Sequence, residues 1–351
     1  MKKRIHIAKI IIIVSLCLFF TVNSILALVI YSQSFGRVEE FPSDKFYTYF
    51  TWEEIDRAKY SREELHFHSG RNKLQGFIYG ASNNKGLVII SQGLGGTADH
   101  YFPTIMYFVD KGWRVFAYNN TGVGGSEGKS VRGLIQSVID LDAALTYVEN
   151  SGELKDLPVM LSGHSWGGYA VCAILNYNHN VKAVVSFAGY NNGSDVIDET
   201  AVSFAGRGYY ILSPQVRVIE KALFGNKTKL TAVNGINKAG IPVMIVHSSN
   251  DHIIPAYTTS IYAHREKITN PNAIIVFNDG ENATGHEFVF CSKKQQEYMN
   301  MASTSWEIYQ AKHSNASKFQ WAEEINFDKA LANELDPDLM ERIEQFFSNA
   351  R

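Results

Sequence analysis

One stretch, Val159 to Ala170, constrains the chain more than any other. It reads Val-Met-Leu-Ser-Gly-His-Ser-Trp-Gly-Gly-Tyr-Ala. An apolar run stops at a glycine and passes directly into an alanine-rich helical pattern, which leaves Ser165 at the tip of a strand–turn–helix. A turn that sharp forces the tip residue into a strained backbone conformation. Side chains beside it would obstruct the turn, and Gly163 and Gly167, two places on either side, leave the room. The same geometry sets the hydroxyl at a helix N-terminus, where backbone N–H groups favour developing negative charge. A bare Gly-x-Ser-x-Gly also arises in an ordinary glycine-rich turn. The rest of the chain therefore has to supply a base, an acid and an oxyanion hole in the right order.

The hydropathy pattern sets the frame for that search. Two short alternating runs between Leu65 and Tyr79 flank Ser69-Gly70-Arg71-Asn72 and predict a hairpin. Apolar runs then predict strands at Gly86–Ser91, Trp113–Tyr118, Pro158–Gly163, Val181–Ala188, Ile241–His247 and Asn272–Phe277. Between them, helical patterns fall near Tyr101–Asp110, Val131–Glu149, Trp166–Asn176 and Ala256–Thr269. Such alternation predicts a mostly parallel sheet with helices on both faces. Active sites of open sheets of this kind lie at the carboxyl ends of strands.

Four segments at such ends carry chemistry. Ser91-Gln92-Gly93-Leu94-Gly95-Gly96-Thr97 follows one buried strand, and Asn119 to Gly128, rich in glycine, follows the next. The second lacks the Lys-Ser/Thr that a phosphate-binding P-loop needs, so it reads as a structural loop. His247-Ser248-Ser249-Asn250-Asp251 follows a third strand, with Pro255 expected to open a helix. Asp279 to Phe288 follows the last strand and contains Gly285-His286. Together with the turn at Ser165, these residues resemble the α/β-hydrolase superfamily over roughly residues 62 to 290. The turn matches that family's nucleophile elbow, and the chain order Ser165, Asp251, His286 is the one expected for the fold. The resemblance implies that Ser165 is the nucleophile, that His286 takes its proton, and that Asp251 holds the histidine in its correct tautomer. The backbone N–H groups of Leu94 and Trp166 then form the oxyanion hole. Gln92 stands where relatives commonly carry histidine, which leaves the backbone donor in place. His247, His252 and His264 are rival bases, but none follows the last strand.

The N-terminus makes a separate demand. Lys2, Lys3, Arg4 and Lys9 precede or open an uncharged apolar run from Ile10 to Ile30, and about 20 such residues suffice for a membrane-spanning helix. The run exceeds the ~7–15 residues of a signal-peptide core, and no clean small-residue cleavage site follows it. A retained anchor is therefore expected. The basic end stays in the cytoplasm, and Glu39, Glu40 and Asp44 follow the far end, so the main domain lies on the extracytoplasmic side. The expected organisation is 1–31 as basic end and anchor, 32–61 as a juxtamembrane connector rich in aromatic residues, and 62–351 as the hydrolase domain.

Residues 191–240 carry helical patterns at Asp195–Phe204, Ser213–Phe224 and Thr228–Asn237. In similar hydrolases an insertion here caps the serine and sets substrate size. The tail adds helices at Gln295–Gln310 and Pro337–Phe347, the latter expected to pack on the sheet. A formal net charge of −2 offers no electrostatic case for nucleic acid. Three cysteines exclude a disulfide framework. No His-Glu-x-x-His or paired-cysteine pattern implies a metal, and no cofactor is implied.

The reading is thus an anchored α/β-hydrolase with a helical cap, acting on carboxylic esters, some lipid-derived, through an acyl-enzyme. A serine peptidase of aminopeptidase type on the same fold is the alternative. A carboxylate in the cap that could hold a free amino terminus (Asp195, Asp198, Glu199 or Glu220) would favour it. A non-catalytic binding protein is the further alternative, since fold does not guarantee function.

Overall fold

The computed structural model describes residues 2–39, 48–313 and 315–351. The middle of the expected connector, including Glu40, Phe41, Asp44, Phe46 and Tyr47, lies outside the described residues. The chain opens with helix α1 (Lys2–Ser34). Within it, Ile5–Ser34 is long and apolar enough to cross a membrane by length and composition. Its apolar side chains from Ile10 to Val22 are exposed all round, as nothing in the described chain covers them.

Among the described residues, eight strands form one sheet. They are β1 (Arg62–Ser69), β2 (Asn72–Tyr79), β3 (Leu87–Ser91), β4 (Arg114–Tyr118), β5 (Val159–His164), β6 (Val181–Phe187), β7 (Val243–Ser248) and β8 (Ala273–Asn278). Their order across the sheet is β1-β2-β4-β3-β5-β6-β7-β8. The hairpin pairs antiparallel through Ser69 and Asn72, with Gly70 in the left-handed region, and β2 is antiparallel to β4. From β4 to β8 every pairing is parallel. Both strand ends and strand types agree with the apolar runs to within about two residues.

The period-two rule divides the core into two layers. Leu87 and Ile89 of β3 point to one side, where α3 (Gln136–Asn150), α4 (Trp166–Ala173) and α7 (Ala232–Ala239) bury their apolar faces. Val88 and Ile90 point to the other, against α2 (Phe102–Asp110) and the last helix, α11 (Pro337–Asn349). In α11, Met340, Ile343 and Phe347 are fully buried, and Phe347 packs at 5.7 Å from Phe108 and 6.0 Å from Trp113. The tail helix therefore completes the sheet's second face, as its one-sided apolar pattern predicts.

Between β6 and β7 the insertion forms α5 (Gly193–Ala205), α6 (Ser213–Phe224) and α7. After β8 come α8 (Lys293–Lys312), α9 (Lys318–Glu324) and α10 (Lys329–Ala332). Their contacts make a small satellite cluster of Ala302, Trp321 and Ala322. The helix expected at Ala256–Thr269 does not form: only a short 3₁₀ segment, Tyr262–Lys267, appears there. The sequence from Thr258 to Ser260 instead spends its hydroxyls elsewhere. Thr259 donates to Glu199 of α5 at 2.6 Å, Thr258 to the same carboxylate, and Ser260 to the Ala256 carbonyl. Such side-chain bonds compete with helix formation, and here they clamp the insertion to the loop after β7.

One ion pair in this frame depends on pH. His179, just before β6, places Nε2 at 2.8 Å from Asp142 and Nδ1 at 2.9 Å from Glu149, both on α3. Both nitrogens can donate together only when the ring is protonated, and these bonds hold its pKa above the ordinary value, Asp142 foremost. A raised folded-state pKa means stability present below about pH 6.5 and lost as pH rises through the folded value. Thermal melts of wild type and His179→Gln are therefore expected to differ most near pH 5.5 and to converge toward pH 9. A gap that stays constant over that range would rule out the protonated clamp.

Candidate active site

The turn after β5 adopts the conformation that its glycines permit. Ser165 sits at φ +55°, ψ −109°, a region that side chains rarely occupy, and α4 begins at the next residue. Its backbone N–H donates to the Phe187 carbonyl at 2.8 Å, which pins the turn to β6. A Cβ at Gly163 would stand 2.3 Å from the Gly167 carbonyl oxygen, and one at Gly167 would stand 1.9 Å from the Ser91 carbonyl oxygen. Neither neighbour is a flexible side chain, so neither site accepts alanine without moving backbone. Close approach at Gly167 brings the end of β3, and the loop from Gln92 to Gly96, against the first turn of α4.

Asp251 and His286 meet as expected from their order. His286 Nδ1–H donates to Asp251 Oδ2 at 2.8 Å, and both side chains are buried. The other carboxylate oxygen accepts the Ile253 and Ile254 N–H groups at 2.9 and 2.8 Å. Burial pushes the Asp251 pKa up, but the bond to His286 and the backbone donors outweigh it and leave the carboxyl below its usual range. The aspartate is thus an oriented anion, with its lone pairs already committed.

The rival histidines fall away on geometry. His247 is buried next to Asp251, yet its Nε2 is 3.6 Å from that carboxylate and donates instead to the Ile254 carbonyl at 2.9 Å. Burial holds its pKa below the ordinary value, so it serves as a neutral brace. His252 is exposed, and His264 lies in the 3₁₀ segment.

Ser165 and His286 line the same cavity, of about 120 Å³. Its wall comes from Leu94 of the β3 loop, from Tyr101 beside α2, and from Phe288, Phe290 and Leu335 of the tail. Leu94 is 43% exposed and borders the cavity, consistent with a backbone donor placed at its edge. Trp166 is fully buried: its indole Nε1–H donates to the Leu134 carbonyl at 2.7 Å, so only its backbone is available to a reacting group. As the first residue of α4, it carries one of the N–H groups that have no acceptor within the helix.

The insertion after β6 forms the expected helices. No residue from 191 to 240 lines the cavity, whose outer wall is built by the tail and by Thr48 and Tyr49. The four cap carboxylates have other partners or positions. Asp198 and Glu220 pair with Arg217, Glu199 holds Thr258 and Thr259, and Asp195 lies in the first turn of α5. Glu287, next to His286, is the carboxylate that does line the cavity. A larger and shallower groove of about 860 Å³ lies on the insertion between Asn192 and Lys229, but it contains none of the predicted site residues.

The loop from Asn119 to Gly128 is structural, as its motif implied. Asp140, fully buried on α3, receives Ser69 Oγ at 2.6 Å, the Thr121 N–H at 2.7 Å, the Thr121 hydroxyl at 2.8 Å and Gln136 Nε2 at 2.8 Å. Burial still raises its pKa despite these donors. From the loop, Asn119 Oδ1 accepts the Ala98 N–H at 2.9 Å and so steadies the helix that supplies Tyr101.

A network that sequence reasoning missed joins the loop after β3 to the loop that carries His286. The Gly93 N–H donates to the Tyr101 hydroxyl at 2.8 Å. That hydroxyl lies 3.2 Å from His164 Nδ1, and His164 Nε2 lies 3.0 Å from the His286 carbonyl oxygen. A carbonyl only accepts, so Nε2 carries the proton and Nδ1 accepts from Tyr101. His164, the residue before Ser165, therefore ties the Gly93–Leu94 loop to the His286 loop. The one available signal was a histidine inside the elbow at a position that faces away from solvent. Burial, then the neighbouring His286, lowers its pKa from 6.5 to about 4. A depressed histidine pKa gives stability that is full above about pH 6.5 and is lost as pH falls toward 4. His164→Gln cannot titrate, so the melting gap between wild type and this variant is expected to be largest near pH 7.5 and to shrink by pH 4.5. An unchanged gap would mean that the ring does not titrate as a buried neutral group.

Comparison with known proteins places this geometry. The family model described as "Serine aminopeptidase, S33" matches residues 82–218. Curated relatives include the uncharacterized protein YfhR of Escherichia coli O157:H7, 23% identical over 69% of this chain and 78% of that protein. YfhR of Escherichia coli strain K12 is 22% identical over the same shares. Among solved structures, the Pyrococcus furiosus esterase Pf2001 superposes with a TM-score of 0.52 at 17% identity, covering 74% of this chain and 94% of that one. The α/β hydrolase GrgF from Penicillium sp. sh18 gives 0.50 at 17% identity, covering 69% and 96%. At such identities the likeness establishes the architecture. A mostly parallel sheet entered by an antiparallel hairpin, with Ser165 in a strained turn between β5 and α4, makes this an α/β-hydrolase fold.

Proposed function

We propose that the protein is a serine hydrolase of carboxylic esters. The observation that carries this reading is the 2.8 Å bond between Asp251 and His286, made where His286 shares one cavity with Ser165. In the proposed reaction His286 Nε2 takes the proton as Ser165 Oγ attacks the carbonyl carbon. The Leu94 and Trp166 N–H groups hold the oxyanion, and losing one such donor costs about 10²–10³ in rate. Collapse expels the alcohol, which receives the proton from His286, and water then releases the acid by the same steps in reverse. Asp251 stays ionised throughout and stabilises the imidazolium.

The cavity lining supports an acyl group: its apolar wall of Leu94, Phe288, Phe290 and Leu335 suits an alkyl chain, with the alcohol part directed outward. The peptidase alternative keeps one supporting observation besides the family model: Glu287 places an exposed carboxylate at the cavity, where a substrate amine could pair with it.

We further propose that α1 is a retained anchor for a folded unit running from about residue 62 to 351. Ala27, Tyr31 and Phe35 are buried in the main core cluster, so the end of the apolar helix is part of the packed domain. The assignment of that domain to the extracytoplasmic side rests on the basic residues before Ile10.

The test is hydrolysis of acyl esters of graded length beside aminoacyl amides, with the full chain in detergent. Activity is expected to peak at one acyl length, to fall by at least about 10⁴-fold in Ser165→Ala and by about 10³–10⁴-fold in Asp251→Asn. Amide cleavage with silence on esters, weakened in Glu287→Gln, would transfer the protein to the peptidases. Full activity in folded Ser165→Ala would sink both enzyme readings.

A further inference from the structure

We infer that the insertion between β6 and β7 is a membrane seat: a face of residues 204–223 that rests in the headgroup region of an anionic lipid bilayer. The inference rests on the reading of α1 as a membrane-spanning anchor.

Position comes first. At 1.5 Å per residue, the run from Ile10 to Ile30 is about 31 Å long, close to the ~30 Å hydrocarbon core of a bilayer. Ala27 and Tyr31 are already packed in the domain's core cluster, so the polar boundary lies about one turn before Tyr31. There α1 packs against α6: Tyr31 and Phe224 are buried in the same cluster, and a Cβ on Gly133 would meet both the Tyr31 hydroxyl, at 2.2 Å, and the Phe224 ring, at 3.1 Å. The geometry is held on the other side of Tyr31 as well. Val131 N–H donates to the Phe35 carbonyl at 3.1 Å, Val38 N–H to Gly122 at 2.9 Å, and Arg37 to the Ser126 and Gly128 carbonyls at 3.0 and 2.8 Å. The helix therefore leaves the domain through a bonded strap, with α6 packed beside its end.

Surface chemistry comes second. Phe204 is 88% exposed, Val218 69%, Tyr210 57% and Ile211 55%. A lone exposed aliphatic residue means little, but a phenylalanine this bare beside three further apolar residues marks an interaction surface. On α6 the exposed residues Pro214, Val218, Lys221 and Ala222 recur at helical spacing and form one face. Residues 204–229 contain Arg207, Arg217, Lys221, Lys227 and Lys229 against the single acid Glu220. Arg217 is taken up by Asp198 and Glu220, while the other four have no carboxylate partner among the described residues. Lys221 and Lys229 line the 860 Å³ groove beside Val218. Lys221 donates to Asn226 at 2.6 Å and Lys227 to the Tyr177 hydroxyl at 2.8 Å, both neutral partners that leave the positive charge in place. Apolar tips ringed by cations that no carboxylate neutralises are the pattern of a surface that enters an anionic interface.

The seat gives the insertion a role of its own. It sets the height and tilt of the domain over the lipid, while the tail, and not the insertion, forms the wall of the cavity.

The test uses the full chain in bilayer discs of three parts phosphatidylcholine to one part phosphatidylglycerol, in a Cys17→Ser background, because Cys172 and Cys291 are buried. Nitroxide labels are placed at Leu18→Cys, Phe204→Cys and Val218→Cys, with Lys155→Cys, at the opposite edge of the sheet, as the aqueous control. Collision with oxygen, which concentrates in lipid, is compared with collision with a water-soluble nickel chelate. Each variant is first shown to melt like its parent, so an unfolded sample is not scored. The oxygen-to-nickel ratio is expected to be high at Leu18 and several-fold higher at Phe204 and Val218 than at Lys155. A high ratio at Leu18 with Phe204 and Val218 matching Lys155 would overturn the seat while leaving the anchor intact. A low ratio at Leu18 would overturn the anchor and the seat together. None of these outcomes depends on whether the protein hydrolyses an ester, so the hydrolase reading stands or falls separately.

Discussion

The approach of α4 to the end of β3 is the contact on which the candidate site depends. At Gly167 no room exists for even a methyl group, because the Ser91 carbonyl occupies that space. Backbone in direct contact with backbone has no side chain to yield, so the relative position of the elbow and the Gln92–Gly96 loop is set by hard contact, not by soft packing. That contact places the Leu94 backbone at the edge of the cavity that Ser165 faces. The strain at Ser165, in a sparsely populated backbone region, is sustained by the bond from its own N–H to Phe187 and by the helix that starts at Trp166.

A second constraint runs crosswise. Strands β3, β5, β7 and β8 each deliver one segment to the same sheet edge, and parallel pairing fixes their order but leaves the loops beyond them free. Hydrogen bonds remove that freedom. Asp251 accepts the N–H groups of its own loop, so its side chain has one direction left, toward His286. His164 spans the loop after β3 and the loop after β8 through Tyr101 and the His286 carbonyl. His286 is thus held through both its ring and its backbone, and its orientation is set before any ligand arrives. Polar groups of this kind, buried and fully partnered, also select one arrangement over close alternatives.

The sheet was legible because its central strands are buried on both faces. Runs such as Leu87 to Ile90 and Val243 to Val246 have no polar residue to blur their ends. The helix expected after Pro255 failed for the opposite reason. Its apolar spacing was adequate, but Thr258, Thr259 and Ser260 found side-chain and backbone partners that only the folded insertion supplies. His164 was visible as a residue and invisible as a link, since its partners lie 63 and 122 positions away. The insertion between β6 and β7 was visible as helices, while the partners of its carboxylates were not.

By itself the sequence determined the fold class, the strained turn at Ser165 and the order of serine, aspartate and histidine. Each of these follows from local chemistry: glycines two places either side of a serine, apolar runs of strand length, and motifs at strand ends. It also determined that residues 10–30 form an apolar helix, since no charge interrupts them. Only the tertiary structure showed how Asp251 takes His286, as its order implied, and not the nearer His247, because 2.8 Å and 3.6 Å are not distinguishable from spacing along the chain. It also decided that the cavity wall comes from Phe288 to Leu335 and that α6 lies against the end of α1. Those are matters of which surfaces meet once the sheet has twisted and the loops have closed, and contacts between distant segments leave no periodic trace in the chain.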